Sequence, residues 1–489
     1  MRLNPVDYVV IAAYLAAITA FGSWFARFQK TTRDYFLTGR SVPWWGVCFT
    51  IVATETSTLS FIGVPAEVFA PAGPRYTGNM TFLQLVLGYI VGRVLVSVLL
   101  VPAYFRGELF TSYELLQRRF GAPVKNLAAL IFLFGRSLAD GIRLFATALV
   151  VSVVTGVPVT WTVIVIGAAM ILYTTRGGVA AVIWTDAVQM FVYVLGALVV
   201  AAGLLARLPG GCAAALEAAA AAGKLTVFDL SFDPRRTYTL WAGLAGGVAL
   251  TLATHGTDQF LVQRLLAARS ARDAARGLVL SGVIVFVQFV LFLFIGILLY
   301  AYYQQRPLPP DLGPDQVLAR FVVEGLPPGI VGFIVAAIVA AALSPSLNAL
   351  AATTVNDFYL RYVRPGAGEA ERMRVSKAAT VFWGLVQLGI ALGAQRMDQS
   401  VLSAGLAVLS VTAGPVLGAF LLGVLTARVD AWSVVAGMIA GTLAVGWIWW
   451  TGAAAWTWYA LVGATTTAGV ALAVWRARRP GERSFGDPS

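Results

Sequence analysis

Apolar runs of about 20 residues, separated by short polar loops, recur along the whole chain. A helix needs roughly 20 apolar residues to cross the hydrocarbon core of a bilayer. About thirteen runs meet this condition, and they are centred near residues 15, 55, 93, 138, 165, 193, 250, 290, 340, 384, 411, 439 and 465. The pattern predicts an all-α polytopic membrane protein with about thirteen transmembrane helices in a single domain, residues 1–489.

The composition supports this class of protein. The chain is 59% hydrophobic and 12% charged, with a mean hydropathy of +0.79, which excludes a soluble multidomain protein. The net charge of +12 does not indicate a nucleic-acid partner, because the basic residues are dispersed in short loops. We expect the lipid bilayer to be the main partner, and the sequence shows no sign of an obligatory protein partner.

The basic residues are concentrated after odd-numbered spans, whereas the loops after even-numbered spans are poor in Lys and Arg. Basic loops of membrane proteins face the cytoplasm. The asymmetry predicts a multi-pass protein of the plasma or inner membrane with its N-terminus outside and its C-terminus in the cytoplasm. The basic residues after the first, third, seventh and ninth spans are Arg27, Lys30, Arg33, Arg40, Arg106, Arg118, Arg119, Lys125, Arg264, Arg269, Arg272, Arg276, Arg361, Arg364, Arg372, Arg374 and Lys377.

A polar stretch interrupts the second apolar run. Residues 53–65 have the sequence ATETSTLSFIGVP, which places Glu55 and several hydroxyl side chains within the membrane. A carboxylate at that depth is costly unless it meets a cation or a proton. We expect the helix to open between Phe61 and Pro65, and open backbone at that depth must be buried in protein or line a cavity. The stretch predicts a binding site for a solute within the membrane.

The seventh run ends in the polar sequence ATHGTDQFLVQR. At helical spacing Thr254 and Asp258 fall on one face, with His255 beside them. A polar face of this density is expected to point into the helix bundle. Two interpretations of His255, the only histidine in the chain, stay open. It is either a structural side chain bonded to a neighbouring carbonyl or a contact to the solute or to a proton.

Other charged side chains lie within predicted spans. Arg136, Asp140 and Arg143 are spaced i, i+4 and i+7, which predicts pairing along one helix face. We favour a structural role, in which these charges neutralise one another, over a role in gating the transport pathway. Asp186 lies about two helical turns into the sixth span, where it is either a cation exit ligand or a structural acceptor. Arg93 in the third span is expected to pair with a carboxylate that the sequence does not identify, or to snorkel to the membrane surface.

Seven motifs follow one another along the chain. They are DYFLTGR (Asp34–Arg40), ATETSTLSFIGVP (Ala53–Pro65), YELLQRRFG (Tyr113–Gly121), GGVAAVIWTDAVQ (Gly177–Gln189), GTDQFLVQR (Gly256–Arg264), SLNALAATTVNDFYLRY (Ser346–Tyr362) and AGPVLGAFLLG (Ala413–Gly423). In this order they resemble the sodium:solute symporter family over nearly the whole chain. The resemblance implies a LeuT-type fold with broken helices and two inverted repeats of five helices. The repeats would comprise residues 41–207 and 238–424, with a leading helix in 1–30, two trailing helices in 427–476 and a short cytoplasmic tail in 477–489.

The resemblance also implies which residues contact sodium and solute. Sodium would lie where the second span meets the ninth, bound mostly by backbone oxygens, with a second ion position nearby. Solute would lie between the second, third, seventh and eleventh spans. The implied sodium residues are Ala53, Thr56, Ile338, Ala341, Ala342, Ser344 and Asp186. The implied solute residues are Glu55, Ser57, Ser60, Thr81, Gln84, Thr254 and His255.

The ninth span departs from the family pattern. Ala341 and Ala342 stand where relatives have two hydroxyl residues that ligate sodium. A compensation is available, because Pro345 has no N–H for the carbonyl of Ala341 and leaves that oxygen free to bind a cation. Together with Glu55 this oxygen would form a rebuilt sodium site. The alternative is proton coupling, in which protonation of a desolvated Glu55 replaces sodium binding.

The expected function is secondary active transport. A cation, Na⁺ or alternatively H⁺, would drive import of a small polar organic solute by alternating access. A transport-inactive membrane sensor is a further alternative. An enzyme is disfavoured, since the sequence contains a single histidine and neither an HExxH nor a GxSxG motif, and we predict no catalytic residue.

Overall fold

The computed structural model describes most of the chain, and several predicted positions lie outside the described residues. These positions are residues 34–39 of the first motif, Gly177, Gly178, Ser344 and Pro345. No outcome is therefore assigned to the predictions for Ser344 and Pro345. The described residues are 3–26, 40–106, 109, 111–175, 179–309, 312–342, 346–397 and 400–478.

The described chain is built from helices joined by short loops. Over these residues the only strand-like pairing is an isolated parallel bridge between Val42 and Ala268. Two π-helical segments, Ala242–Gly246 and Thr353–Val363, adjoin regular helices. The α-helices are α1 (Pro5–Ala26), α2 (Trp44–Glu55), α3 (Thr58–Phe69), α4 (Leu83–Leu99), α5 (Val101–Tyr104), α6 (Tyr113–Phe120), α7 (Ala122–Thr155), α8 (Val159–Thr174), α9 (Val179–Leu205), α10 (Gly211–Ala221), α11 (Gly247–Thr257), α12 (Gln259–Leu266), α13 (Ala271–Gln304), α14 (Pro314–Gly325), α15 (Ile330–Ala342), α16 (Leu347–Ala352), α17 (Glu369–Gly393), α18 (Val401–Leu425), α19 (Ala431–Thr451) and α20 (Tyr459–Ala477).

Seven helices in the described part of the chain are long and apolar enough to cross a bilayer. The pair α2 and α3, bent by 59°, is an eighth candidate. These helices support a multi-pass membrane protein. The predicted number of about thirteen spans is not confirmed, because other apolar helices such as α4 and α15 have only 17 and 13 residues. The seven candidates are Ala122–Thr155, Val182–Leu205, Ala271–Gln304, Glu369–Arg396, Val401–Leu425, Ala431–Thr451 and Trp456–Ala477.

The first break separates α2 from α3 at Thr56 and Ser57. Hydroxyl side chains compete for the helix carbonyls there. The Thr56 hydroxyl lies 2.7 Å from the Val52 carbonyl oxygen, and the Ser60 hydroxyl donates to the Glu55 carbonyl at 2.8 Å. The Ser57 N–H also donates to the Glu55 carbonyl, at 2.8 Å, instead of continuing the helical pattern. The run of Ser and Thr residues therefore sets the position of the break.

The break does not lie between Phe61 and Pro65, where we predict the helix to open. Helix α3 runs from Thr58 to Phe69 and carries Gly63 and Pro65 in its interior. Tight packing against Leu402 holds this part of the helix, since a Cβ added to Gly63 would lie 2.6 Å from the Leu402 Cβ. The expected opening at Gly63 and Pro65 is wrong, although a break does lie within residues 53–65.

A second break separates α11 from α12 at Asp258. This residue is extended, with φ −70° and ψ 121°, and its carboxylate accepts a hydrogen bond from the Phe260 N–H at 2.8 Å. It therefore caps the N-terminus of α12. Because α11 ends at Thr257, Asp258 does not share a helix face with Thr254 as its spacing predicts. Each break lies in the first helix of one predicted repeat.

Small residues bring α4 close to the helix that leads into the second break. A Cβ added to Gly88 would lie 2.3 Å from the carbonyl oxygen of Gly243 and 2.9 Å from the Cα of Gly247. A Cβ added to Gly92 would lie 2.6 Å from the Thr251 Cβ. Such close approach is typical of helix pairs in membranes.

Exposed tryptophans mark the two ends of α19. Trp432 lies in its first turn, and Trp447, Trp449 and Trp450 lie near its last turn, all with exposed side chains. Tryptophan is enriched at both interfaces between membrane and water. The arrangement is consistent with a helix that crosses the bilayer.

Candidate functional site

A cavity of about 100 Å³ lies beside the first helix break. This volume is large enough for several water molecules. Five of the predicted solute residues line it: Glu55, Ser57, Ser60, Thr254 and His255. The other lining residues are Thr54, Leu59, Phe82, Tyr89, Arg136, Ala139, Arg143, Leu250, Thr251, Leu261, Phe289, Leu402, Gly405, Leu406 and Leu409.

Glu55 meets a fully buried arginine at the cavity wall. The Arg93 side chain, with 0% of its area exposed, reaches from α4 and forms an ion pair with the Glu55 carboxylate. His255 completes the group, because its Nε2 lies 3.3 Å from Glu55 Oε1 and 3.3 Å from Arg93 Nη2. Its Nδ1 lies 3.0 Å from the Thr254 hydroxyl. Arg93 therefore has the carboxylate partner that the sequence leaves unidentified, and Glu55 has a cation beside it.

Two further arginines of α7 line the cavity and share one aspartate. Arg136 Nη2 lies 2.9 Å from Asp140 Oδ1, whereas Arg143 Nη1 lies 3.7 Å from the same oxygen. Arg136 also lies 3.5 Å from Asp258, and Ser346 donates to Asp140. The Arg143 Nε is buried without a hydrogen-bond partner among the described residues. The predicted neutralisation along one face is present, and Arg143 keeps unused hydrogen-bonding capacity.

The sequence missed Arg136 and Arg143 as cavity residues. Their spacing of seven places both on one face of α7, and both cations depend on one aspartate of that helix. This excess of positive charge could have indicated that this face of α7 is turned toward an anion.

Thr81 and Gln84, two predicted solute residues, lie outside the cavity lining. The Gln84 amide donates to the Tyr238 carbonyl at 3.1 Å and accepts from the Asp229 N–H at 3.2 Å. The Thr81 hydroxyl donates to Asn79 Oδ1 at 2.7 Å. In this conformation both side chains bind neighbouring loop residues and do not face the cavity.

The predicted sodium residues of the second span lie at the break. Since the Ser57 N–H bonds to Glu55, the Ala53 carbonyl loses its usual helical donor. The Thr56 hydroxyl lies 2.8 Å from Gln288 Oε1 on α13, and the predicted sodium ligand of this residue is its backbone carbonyl. Both carbonyls are hard oxygen ligands of the kind that Na⁺ prefers.

The predicted sodium residues of the ninth span are described only in part. Ile338 is buried within α15, and Ala341 and Ala342 form its last turn. Asp186 Oδ2 lies 2.8 Å from Arg264 Nη2 and 3.3 Å from the Thr50 hydroxyl. Of the two interpretations of Asp186, the geometry favours the structural acceptor, since its charge is already paired.

Comparisons with known proteins agree over most of the chain. A profile of the sodium:solute symporter family matches residues 35–441. Sodium-coupled monocarboxylate transporter 2 of Bos taurus is 30% identical over 455 residues, which cover 90% of this chain and 72% of the relative. The sodium/iodide cotransporter of Homo sapiens is 31% identical over 455 residues, 90% of this chain and 69% of the relative.

A solved structure of a related transporter has a similar fold. The substrate-bound, outward-open state of a Na⁺-coupled sialic acid symporter superposes with a TM-score of 0.88 at 26% identity, over 97% of this chain and 98% of that chain. The match confirms the LeuT-type fold that the motifs imply. The relatives are sodium-coupled transporters, which confirms the prediction that the chain is not an enzyme.

Proposed function

Because the chain belongs to the sodium:solute symporter family, we propose that it couples Na⁺ to the import of a small organic solute that bears a carboxylate. The solute occupies the cavity beside the first break, and transport proceeds by alternating access. The observation that carries the proposal is the buried Arg143 Nε, which lacks a hydrogen-bond partner within the described chain at the cavity wall.

Arg143 suits a carboxylate for a geometric reason. A guanidinium binds a carboxylate through two parallel hydrogen bonds, and its 3.7 Å contact to Asp140 leaves it free to turn. Arg136 is committed to Asp140 and Asp258 and supplies further positive potential. The relatives named for a monocarboxylate, for iodide and for sialic acid all carry anions, which supports an anionic solute here.

The first helix break supports binding of both Na⁺ and the solute. Helix α2 ends at Glu55 and presents the negative end of its dipole, which suits Na⁺ near the Ala53 and Thr56 carbonyls. Helix α3 begins at Thr58 and presents its positive end to the cavity, which suits an anion. Ion and solute then favour the same conformer, and their binding energies are linked.

Uptake into proteoliposomes tests the solute class. The probes are radiolabelled acetate, lactate and pyruvate, with unlabelled acetamide and lactamide as neutral competitors. We expect an inward Na⁺ gradient to drive uptake of at least one acid, with no competition by the amides. Arg143→Gln should raise the half-saturating concentration roughly tenfold to hundredfold, the value of a charged hydrogen bond. Arg396→Gln, at an exposed position, is the control and should behave as wild type.

Proton coupling is the second candidate, and one contact favours it. His255 Nε2 and Glu55 Oε1 lie 3.3 Å apart, so a proton on the imidazole would lie beside the carboxylate. Uptake driven by an imposed pH gradient and insensitive to sodium would decide for the proton. Competition by the amides, or no uptake of any of the acids above the level of empty liposomes, would contradict the carboxylate class.

Sodium binding is tested without any solute. The thermal unfolding midpoint of the detergent-purified protein is measured in a sodium series balanced with choline, for wild type and Glu55→Gln. A ligand that binds the folded state raises the midpoint saturably, and this is the expected result for wild type. An unchanged sodium response in Glu55→Gln would mean that the Glu55 carboxylate takes no part in the ion site.

A further inference from the structure

Two buried carboxylates lie together at the end of the bundle that the charge pattern places outside the cell. Glu67, 1% exposed, is in the last turns of α3, and Asp315, 8% exposed, is in the first turn of α14. Glu67 Oε1 and Asp315 Oδ1 are buried, and neither has a hydrogen-bond partner in the described part of the chain. Among those residues neither side chain forms an ion pair.

A single loop holds both side chains. The Tyr76 hydroxyl donates to Asp315 Oδ2 at 3.1 Å, and the N–H of the next residue, Thr77, donates to Glu67 Oε2 at 3.3 Å. Tyr76 and Thr77 are consecutive residues, so the same turn of this loop contacts both carboxylates. The Tyr76 phenol responds to both of them, because burial and the charges of Asp315 and Glu67 raise the pKa of Tyr76.

Two carboxylates in this position require either a proton or a positive partner. A buried charge is normally paired or bound to a metal. Lys224 is nearby, but its Nζ lies against the backbone carbonyls of Val68 and Ala70, at 2.6 and 2.9 Å. Its ammonium therefore completes the C-terminal end of α3 and does not contact either carboxylate.

We propose that Glu67 and Asp315 bind a hard cation, Na⁺ or Ca²⁺, through Glu67 Oε1 and Asp315 Oδ1. The donors are carboxylate oxygens beside a tyrosine hydroxyl and a loop, and oxygen-only sites select such cations. The site is separate from the sodium position at the first break and does not depend on the proposed solute.

An occupied site would connect three helices. Asp315 Oδ2 also accepts a hydrogen bond, at 3.3 Å, from the N–H of Val401, the first residue of α18. Helix α18 lines the central cavity through Leu402 and Gly405. The cation would therefore hold the outer end of α3, the helix α14 and the start of α18 in this arrangement.

Thermal unfolding at pH 7.5 tests the site. Wild type, Glu67→Gln, Asp315→Asn and the control Glu324→Gln are titrated with CaCl₂ and, separately, with NaCl against choline. Glu324 is matched, because it lies on the same helix and pairs with Arg320 at the surface. We expect one of the two cations to raise the midpoint of wild type and Glu324→Gln saturably. The half-saturating concentration should rise at least tenfold in Glu67→Gln and Asp315→Asn.

Direct binding of ⁴⁵Ca²⁺ and ²²Na⁺ to the monodisperse protein identifies the cation. If a neutral variant does not purify folded, Asp315→Glu, which keeps the charge, replaces it and should keep the cation response. A wild-type midpoint that ignores both cations overturns the proposal. A Glu67→Gln midpoint that follows the cation as wild type does also overturns it.

Discussion

At the scale of single residues, Glu55 depends on an arginine from another helix. Arg93→Met would leave the partly buried Glu55 without its arginine counter-ion, and losses of up to about 3–5 kcal/mol are typical of such a change. Glu55→Gln combined with Arg93→Met should recover most of the loss, because no charge remains unpaired. Unfolding of the single and double variants measures this.

The matching control is an ion pair at the protein surface. Arg320 and Glu324 pair along α14 with partly exposed side chains, and surface pairs contribute about 0–1 kcal/mol. Arg320→Met should therefore have a small effect. An equal loss for Arg93→Met and Arg320→Met would contradict the role of burial at Glu55.

Asp315 gives the protein a predictable dependence on pH. Burial raises the pKa of Asp315 to about 6, above the value of about 3.9 in an unfolded chain. The folded state keeps a proton that the unfolded state has released, so stability is lost as the pH rises through about 6. The loss is about 2–3 kcal/mol for two pKa units. Unfolding midpoints between pH 4.5 and 7.5, without Na⁺ or Ca²⁺, should show this decline in wild type and a smaller decline in Asp315→Asn.

The sequence identified part of the site at this scale. Glu55 and His255 are found in the cavity wall, because a charged or polar side chain in an apolar run is informative by itself. For Arg143 the sequence favours structural pairing with Asp140 over a gate. Its distance to that aspartate and its free Nε depend on packing between distant helices, which the spacing along one helix does not determine.

At the scale of helices, the apolar runs predicted an all-helical membrane protein, and local chemistry set the positions of the breaks. Gly63 and Pro65 misled the prediction, since packing against α18 keeps α3 intact there. The break follows the hydroxyl residues around Thr56. The break at Asp258 could have been predicted from its ability to cap the helix that follows.

The glycines between α4 and the start of the seventh span give a prediction at the same scale. Gly88→Ala would place a Cβ 2.3 Å from the Gly243 carbonyl oxygen, and backbone atoms cannot turn aside as a side chain can. We expect a loss of about 1–3 kcal/mol and reduced uptake. Gly389→Ala is the control, because a Cβ there meets nothing within 4 Å and should be neutral or stabilising by up to about 1 kcal/mol. Thermal unfolding and uptake of both variants check the comparison.

At the scale of the whole molecule, the orientation in the membrane is open to a direct test. Cys48 is buried and Cys212 is exposed, and the charge pattern places Cys212 in a loop outside the cell. An impermeant maleimide added to intact cells should label wild type and leave Cys212→Ser unlabelled. Labelling that appears only after the cells are opened would reverse the predicted topology.

The tryptophans of α19 relate the molecule to the bilayer around it. Trp432 and Trp450 are 18 positions apart, which corresponds to about 27 Å along a helix, close to the roughly 30 Å of a hydrocarbon core. Helix α19 packs against α18, and α18 lines the cavity. In lipids with much longer or shorter acyl chains, hydrophobic mismatch would tilt α19. The tilt would push on α18, which packs against it. Membrane thickness would then change the balance between the two access states.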